Sequence, residues 1–250
     1  MKALLSLLLI CFVSLQSFAD CAGSGIWACP QTETISENPV IYIEGYFMDQ
    51  ETVRKIGKEY ALYLVSPSHM ARLEVIEVLE GEMHLTQVIL KPIATLQADV
   101  EYVLSLSSIP KKSTNSPKKL DLNFPDSKWT VKARKDKTLP LFTSSPTWVS
   151  SKVIYYGYGP SNRMAFEFKT NEQNNFLIRT TLTNTAEKSQ STHYLAAKEG
   201  IVSVGHGMCS GAFTLREGVK YKLEFSLLDA SWNKGKSASC EVVYKTENSF

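Results

Sequence analysis

Past its first nineteen residues the sequence lacks any apolar run that could cross a bilayer, which takes roughly 20 residues. The longest later runs are strand-sized and broken by charge. The sequence also lacks an excess of charge: 27 Lys and Arg stand against 25 Asp and Glu. No strong overall field is available to draw nucleic acid. A local basic cluster does run from Lys111 through Lys112, Lys118, Lys119, Lys128, Lys132, Arg134 and Lys135 to Lys137. Only Phe124 and Trp129 interleave with it, whereas a nucleic-acid footprint mixes base with aromatic throughout. It reads as a solvated loop, 111–125, followed by the exposed face of a strand. Signatures of catalysis are missing as well. There is no G-x-S-x-G elbow, and no phosphate-cradling loop, zinc-protease helix or dinucleotide fingerprint. Acids are plentiful, but no feature singles out a catalytic pair. The expectation is a non-catalytic protein without a cofactor and without nucleic acid as partner.

What is present begins at the N-terminus. Met1-Lys2, the apolar stretch Ala3 to Val13, and small residues at Ser17 and Ala19 are the three parts of a signal peptide, 1–19. The expected destination is the periplasm or the cell surface, and the mature chain of about 230 residues carries no membrane span. Cysteine usage agrees. Cys11 leaves with the signal, and Cys21, Cys29, Cys209 and Cys240 remain. An even count in an oxidising compartment predicts two disulfides, although four cysteines allow three connectivities. Proximity in sequence favours Cys21 with Cys29 and Cys209 with Cys240.

Short strands separated by turn signals dominate the rest. Val40 to Glu44, Ala61 to Val65, Leu73 to Leu79, Gln87 to Leu90 and Tyr102 to Leu106 follow at roughly ten-residue spacing, as in a sandwich or barrel. Trp129 to Arg134 completes this set. Only Asp49 to Lys58 departs from it, with Val53 and Ile56 at helical spacing, and predicts a short helix. The second half predicts strands at Thr147–Val153, Arg163–Phe168, Phe176–Leu182, His193–Ala197, Ile201–Val204, Gly211–Leu215, Tyr221–Leu227 and Ala238–Tyr244. The predicted fold is all-β, two tandem immunoglobulin-like sandwiches. An N-terminal segment, 20–38, leads into domain 39–138, and a second domain spans 139–250.

An internal echo supports this fold. Thr95-Leu96-Gln97-Ala98-Asp99-Val100-Glu101-Tyr102 aligns with Thr214-Leu215-Arg216-Glu217-Gly218-Val219-Lys220-Tyr221. A turn that feeds a strand opening on an inward tyrosine is the tyrosine corner of Greek-key sandwiches. Leu90-Lys91-Pro92 through Leu106 resembles the closing half of bacterial immunoglobulin-like domains from secreted and surface proteins. Phe213 to Gly235, with Leu215, Tyr221 and Asp229-Ala230, is similar to the end of fibronectin-type or immunoglobulin-like repeats. Gly205 to Gly211 resembles exported proteins of Gram-negative bacteria. The resemblance implies fold and location, and carries over no catalytic residue.

The strongest candidate site is Tyr155-Tyr156-Gly157-Tyr158-Gly159-Pro160, with Trp148 and Trp232 as possible additions. Tyrosines beside glycine and proline offer large contact area at low entropic cost. Against this, alternation along a strand can turn such rings into the core. His206 and Cys209, three apart in a glycine-rich turn, have the residue types of a metal site or Cys-His pair; a tight turn before a disulfide cysteine is the simpler reading. The soft ligands Met48, Met70, Met83 and Met208 suit copper chemically but are dispersed. The leading function is a binding module for a protein or glycan of the cell envelope. The alternatives are a periplasmic copper-type metal carrier or an enzyme near His206, and a structural subunit of a surface assembly.

Overall fold

The computed structural model describes residues 23–109, 124, 127–133, 137–156, 159–171 and 176–246. The expected signal peptide 1–19, Cys21, most of the basic loop 111–125, and Tyr158 lie outside the described residues.

The described chain is all-β with one short helix, as expected. The first half contains β1 (Gly25–Cys29), β2 (Thr34–Ser36), β3 (Ile41–Tyr46), β4 (Tyr60–Val65), β5 (Met70–Glu80), β6 (Leu85–Pro92), β7 (Glu101–Ser108) and β8 (Lys128–Ala133). Their order is β1-β3-β6-β5-β4-β7-β8-β2. The long β5 joins two layers: Met70–Arg72 pairs with β4, and from Leu73 onward it pairs with β6, with a register shift between Val75 and Glu77. A bulge of this kind bends a strand and raises its twist, so one sheet wraps both sides of a core built on Ile43, Leu62, Leu64, Tyr102, Leu104 and Trp129. The predicted helix is shorter than its pattern. A 3-10 turn, Phe47–Asp49, runs into α1, Gln50–Arg54. Val53 and Ile56 are buried as their spacing requires.

The second half contains β9 (Phe142–Tyr156), β10 (Gly159–Thr170), β11 (Phe176–Asn184), β12 (Gln190–Leu195), β13 (Ala197–Lys198), β14 (Ile201–His206), β15 (Lys220–Asp229) and β16 (Ala238–Val243). They form two four-stranded sheets, β13-β14-β10-β9 and β12-β11-β15-β16. Lettered in chain order as A, B, C, C′, D, E, F and G, these are D-E-B-A and C′-C-F-G, the immunoglobulin-like Greek key. Side chains alternate as a half-buried strand demands: Tyr221, Leu223 and Phe225 of β15 point inward against Met164 and Phe166 of β10. The predicted strand Gly211–Leu215 does not form. Gly211 makes only isolated bridges, to Met83 and to His206.

Both tyrosine corners are built alike. The Tyr102 hydroxyl accepts the Gln97 backbone N–H at 3.1 Å, and the Tyr221 hydroxyl accepts that of Arg216 at 3.0 Å. Each spans five residues upstream of a strand that opens on the ring, the geometry anticipated from the echo.

Candidate functional site

The two halves meet along a joint with its own small core. Val40, Tyr42 and Ile89 from the first half bury against Tyr194 and Leu228 from the second, flanked by Leu79, Leu177 and Trp232. Polar contacts ring this core. Arg179 is paired with Glu77 at 2.9 Å, and the Tyr194 hydroxyl donates to the other Glu77 oxygen at 3.2 Å. Trp232 Nε1–H donates to the Pro39 carbonyl at 3.1 Å, and Ser36 Oγ to that of Ala230 at 3.0 Å. On the first-half side, Gln87 Nε2 donates to Glu44 Oε1 at 2.8 Å. Burial pushes the Glu44 carboxyl up to about 7, against that stabilising bond.

The turn between β5 and β6 plugs into the second half. Met83 N–H donates to the Gly211 carbonyl at 3.2 Å, and Gly211 N–H returns a bond to Met83 at 2.8 Å. This approach needs glycine. A Cβ at Gly81 would stand 2.7 Å from the Gly211 oxygen, and one at Gly211 would stand 2.3 Å from His206 Cα. The glycine-rich turn is therefore the socket of an interdomain contact. Its Cys-His reading is corrected by two facts. The Cys209 sulfur is disulfide-bonded and offers no thiolate. His206 is buried, with Nδ1 2.6 Å from the Gly207 carbonyl.

The cysteine pairing is corrected too. Cys29 and Cys240 are both free thiols, so neither Cys21 with Cys29 nor Cys209 with Cys240 forms. The strands explain it: Cys29 sits on β1 opposite Tyr42 and hydrogen-bonds that ring's hydroxyl, whereas Cys240 faces Leu223 at the edge of the second core.

Beside the joint lies a cleft of about 530 Å³, half open to solvent. One wall is Cys29 to Thr32 with Val40 and Tyr42. The other is Phe176, Leu177 and Leu228, with the 196–200 turn at the rim. A largely apolar cleft of this size at a domain junction is where ligands are commonly bound. Its one sulfur is quiet chemically, because burial pushes the Cys29 thiol up to about 11, and the thiol form is a poor nucleophile. Asp229 is likewise committed: its carboxylate accepts the N–H groups of Ser231 and Asn233, each at 2.8 Å. A smaller polar cavity of about 280 Å³ adjoins Glu82 and Arg216. Its groups bond one another, Glu82 with Thr214 N–H at 2.8 Å and Arg216 with Glu187 at 2.6 Å.

The tyrosine candidates lie elsewhere, on β9. Tyr155 is 81% exposed, Tyr156 50% and Trp148 39%. Adjacent residues of a strand face opposite sides, so Tyr155 and Tyr156 diverge; Trp148 stands roughly 23 Å from Tyr155 along the strand. Its Nε1–H donates to Ser151 Oγ at 3.1 Å. The structure thus sets Trp148, Tyr155 and Tyr156 along one edge strand, and neither the cleft nor the polar cavity is lined by them or by His206. Glu44, Gln87 and Tyr194 were not visible in sequence as a group, because no local spacing links residues that meet only across a joint.

No family model matches the chain, and no curated protein matches it in sequence. Among solved structures it is similar to the tandem Ig repeats of Dlar, at 11% identity and a TM-score of 0.27, over 87% of this chain and 97% of that one. A marsupial T cell receptor gives 10% identity and 0.24, over 90% and 72%. Pullulanase from Anoxybacillus sp. LM18-11 gives 9% and 0.22 over 85% of this chain, which spans only 25% of the pullulanase. Scores this low carry no argument about function.

Proposed function

We propose that the chain is an exported, non-catalytic binding protein that receives apolar side chains of a protein partner in the interdomain cleft. Export rests on the N-terminal sequence 1–19. The observation that carries the reading is the cleft wall itself. Val40, Tyr42, Phe176, Leu177 and Leu228 present carbon at a junction that many hydrogen bonds hold in place. Preformed apolar walls lower the ordering cost of binding. A protein side chain suits this cleft because apolar residues make up most of its walls, with Gln31, Thr32, Glu199 and Asp229 as polar members of the lining. The thiol at the back, protonated at neutral pH, belongs to a binding surface and not to a nucleophile.

The test is capture of proteins from envelope extract by a photo-crosslinking residue placed at Gln31, on the exposed lip of the cleft. Leu177→Arg puts a guanidinium into the wall, and Ala196→Trp, on the exposed rim, caps the mouth. One specific crosslinked species that disappears in both variants, at unchanged melting temperature, supports the proposal. A species that survives both overturns it.

A further inference from the structure

We infer that the protein partner carries an arginine or lysine beside the apolar side chains it puts in the cleft, and that Trp27 and Glu44 receive this cation. The inference rests on the cleft reading and names the chemistry of the partner next to it. Trp27 on β1 stands directly opposite Glu44 on β3. Their chain neighbours Ala28 and Ile43 enter the first core, so Trp27 and Glu44 share the outer face of the sheet. Cys29 and Tyr42, two residues away on the same strands, line the cleft. The strip therefore continues the cleft wall by one step of about 7 Å.

Its rings are held in place before any ligand arrives. Tyr46 lies across Gly25, where a Cβ would stand 2.5 Å from the ring. The Trp27 indole lies on Tyr46, with centroids 4.6 Å apart and planes within 11° of parallel. Phe47 meets Tyr46 edge-on, at 6.3 Å. One indole face is thus covered, yet Trp27 is 43% exposed, which leaves the other face open. An open indole face attracts an ammonium or guanidinium, and the carbon stem of a long basic side chain packs on it while the head reaches past.

Glu44 lacks what such a side chain would bring. Its carboxylate accepts from the neutral Gln87 amide and has no ion-pair partner among the described residues. Burial without a counter-charge is what raises it to about 7, although it keeps some exposure. The surroundings supply no cation. Between Gly23 and Val53 the sequence has no Lys or Arg, but has the acids Glu33, Glu37, Glu44, Asp49 and Glu51. Nearby bases are engaged, Arg179 with Glu77 and Lys91 over the Trp232 ring. An acid beside an open aromatic face is complementary to a base on the partner. A neutral sugar would satisfy the indole and leave the carboxylate without a counter-charge.

The experiment uses the whole protein, immobilised at pH 8, where Glu44 is ionised. Two displayed heptapeptide libraries share a central Leu, Ile, Val or Phe; one has Lys and Arg in its flanks, the other Asp and Glu. The expected result is about tenfold or greater enrichment of the basic library. Trp27→Ala and Glu44→Gln should each reduce that enrichment about tenfold. Glu44→Gln removes a buried charge and should be no less stable at pH 8, so its weaker binding is not unfolding; melting temperature gives the same check for Trp27→Ala. Equal enrichment of both libraries that Leu177→Arg abolishes overturns the inference and leaves the cleft reading standing. Basic enrichment that falls with Glu44→Gln but survives Leu177→Arg supports the cation site and tells against the cleft. Recovery of neither library, or basic enrichment that survives both Trp27→Ala and Glu44→Gln, overturns the inference. Chitotriose, a neutral oligosaccharide, is the third probe: its binding with neither library recovered makes the strip a glycan site and overturns the inference as well.

Discussion

Gln87 and Tyr194 exchange two hydrogen bonds across the domain joint. The Gln87 Nε2–H donates to the Tyr194 carbonyl at 3.0 Å, and the Tyr194 N–H donates to Gln87 Oε1 at 3.0 Å. A side-chain amide thereby closes a main-chain ladder between two sandwiches. Gln87→Leu leaves the Tyr194 N–H and C=O unpaired and takes the donor from Glu44. The expected cost is about 2–4 kcal/mol, measured by urea unfolding.

Two buried groups should give opposite slopes of stability against pH. Glu44 is raised from 4.5 to about 7. Below its ordinary value both folded and unfolded chains hold the proton. As pH rises toward 7 the unfolded chain releases it first, so stability falls, and the loss is complete above 7. His193 is lowered from 6.5 to about 4, mainly by burial, so stability falls as pH drops from 6.5 toward 4. The two slopes overlap and oppose each other between about 4.5 and 6.5. Glu44→Gln should expose the acid-side loss and gain about 2–3 kcal/mol at pH 8. His193→Gln should expose the loss on the alkaline side. Thermal unfolding across pH 4–8 checks both; an unchanged profile for Glu44→Gln counts against the buried-carboxyl assignment.

The two tyrosine corners should respond unequally to loss of the hydroxyl. Tyr221 OH meets the Arg216 N–H, whereas Tyr102 OH also lies 2.8 Å from His69 Nδ1. Tyr221→Phe is expected to cost about 1 kcal/mol and Tyr102→Phe about 2, since two partners are orphaned in place of one. Equilibrium unfolding of the two variants gives the comparison.

Gly211→Ala should unseat the β5–β6 turn. The added methyl meets His206 backbone and Cβ at 2.3 Å, with no flexible side chain to yield. A loss of about 3 kcal/mol or more is expected. Hydrogen exchange should rise at Met83 and Gly211, whose amides bond across the contact.

Thiol alkylation should separate the cysteines. Cys29 is expected to react slowly at pH 7 and about tenfold faster for each pH unit up to 10, because its thiolate is scarce below about 11. Cys209, already disulfide-bonded, should not react without reductant. Peptide mapping by mass spectrometry reads both.

The parts of the molecule legible in sequence were those fixed by local repetition. The threonine-to-tyrosine echo located both corners because each corner is a contact between residues five apart. The strands around Leu104 and Phe225 were legible because one face is buried and the pattern alternates, and those around Ile43 and Leu62 because short apolar runs lie between turn signals. The helix at Gln50 was foreseen in place but not in length, since Gly57, at φ +83, lies just beyond the turn that ends it. The cysteine pairing failed because proximity in sequence says nothing of where strands carry their side chains. The joint was invisible for a related reason: Glu44, Gln87 and Tyr194 each look ordinary in their own strand, and only docking makes them a cluster. The same docking explains Gly211, which read as turn freedom and is a contact surface.

The socket has a consequence for how the chain acquires its shape. The turn at Gly81–His84 and its seat at Gly205–Gly211 are separated by nearly half of the sequence. Contacts of such long range form slowly, because a large loop must close before any bond rewards it. During synthesis, the first sandwich is complete well before its seat exists. Tyr42, Ile89 and the bare hairpin tip then face water, as an adhesive strip on a nascent chain. Leu228 and Trp232, far downstream in the sequence, are what finally cover that strip. Residues made long after the first sandwich thus decide when it stops being an aggregation hazard.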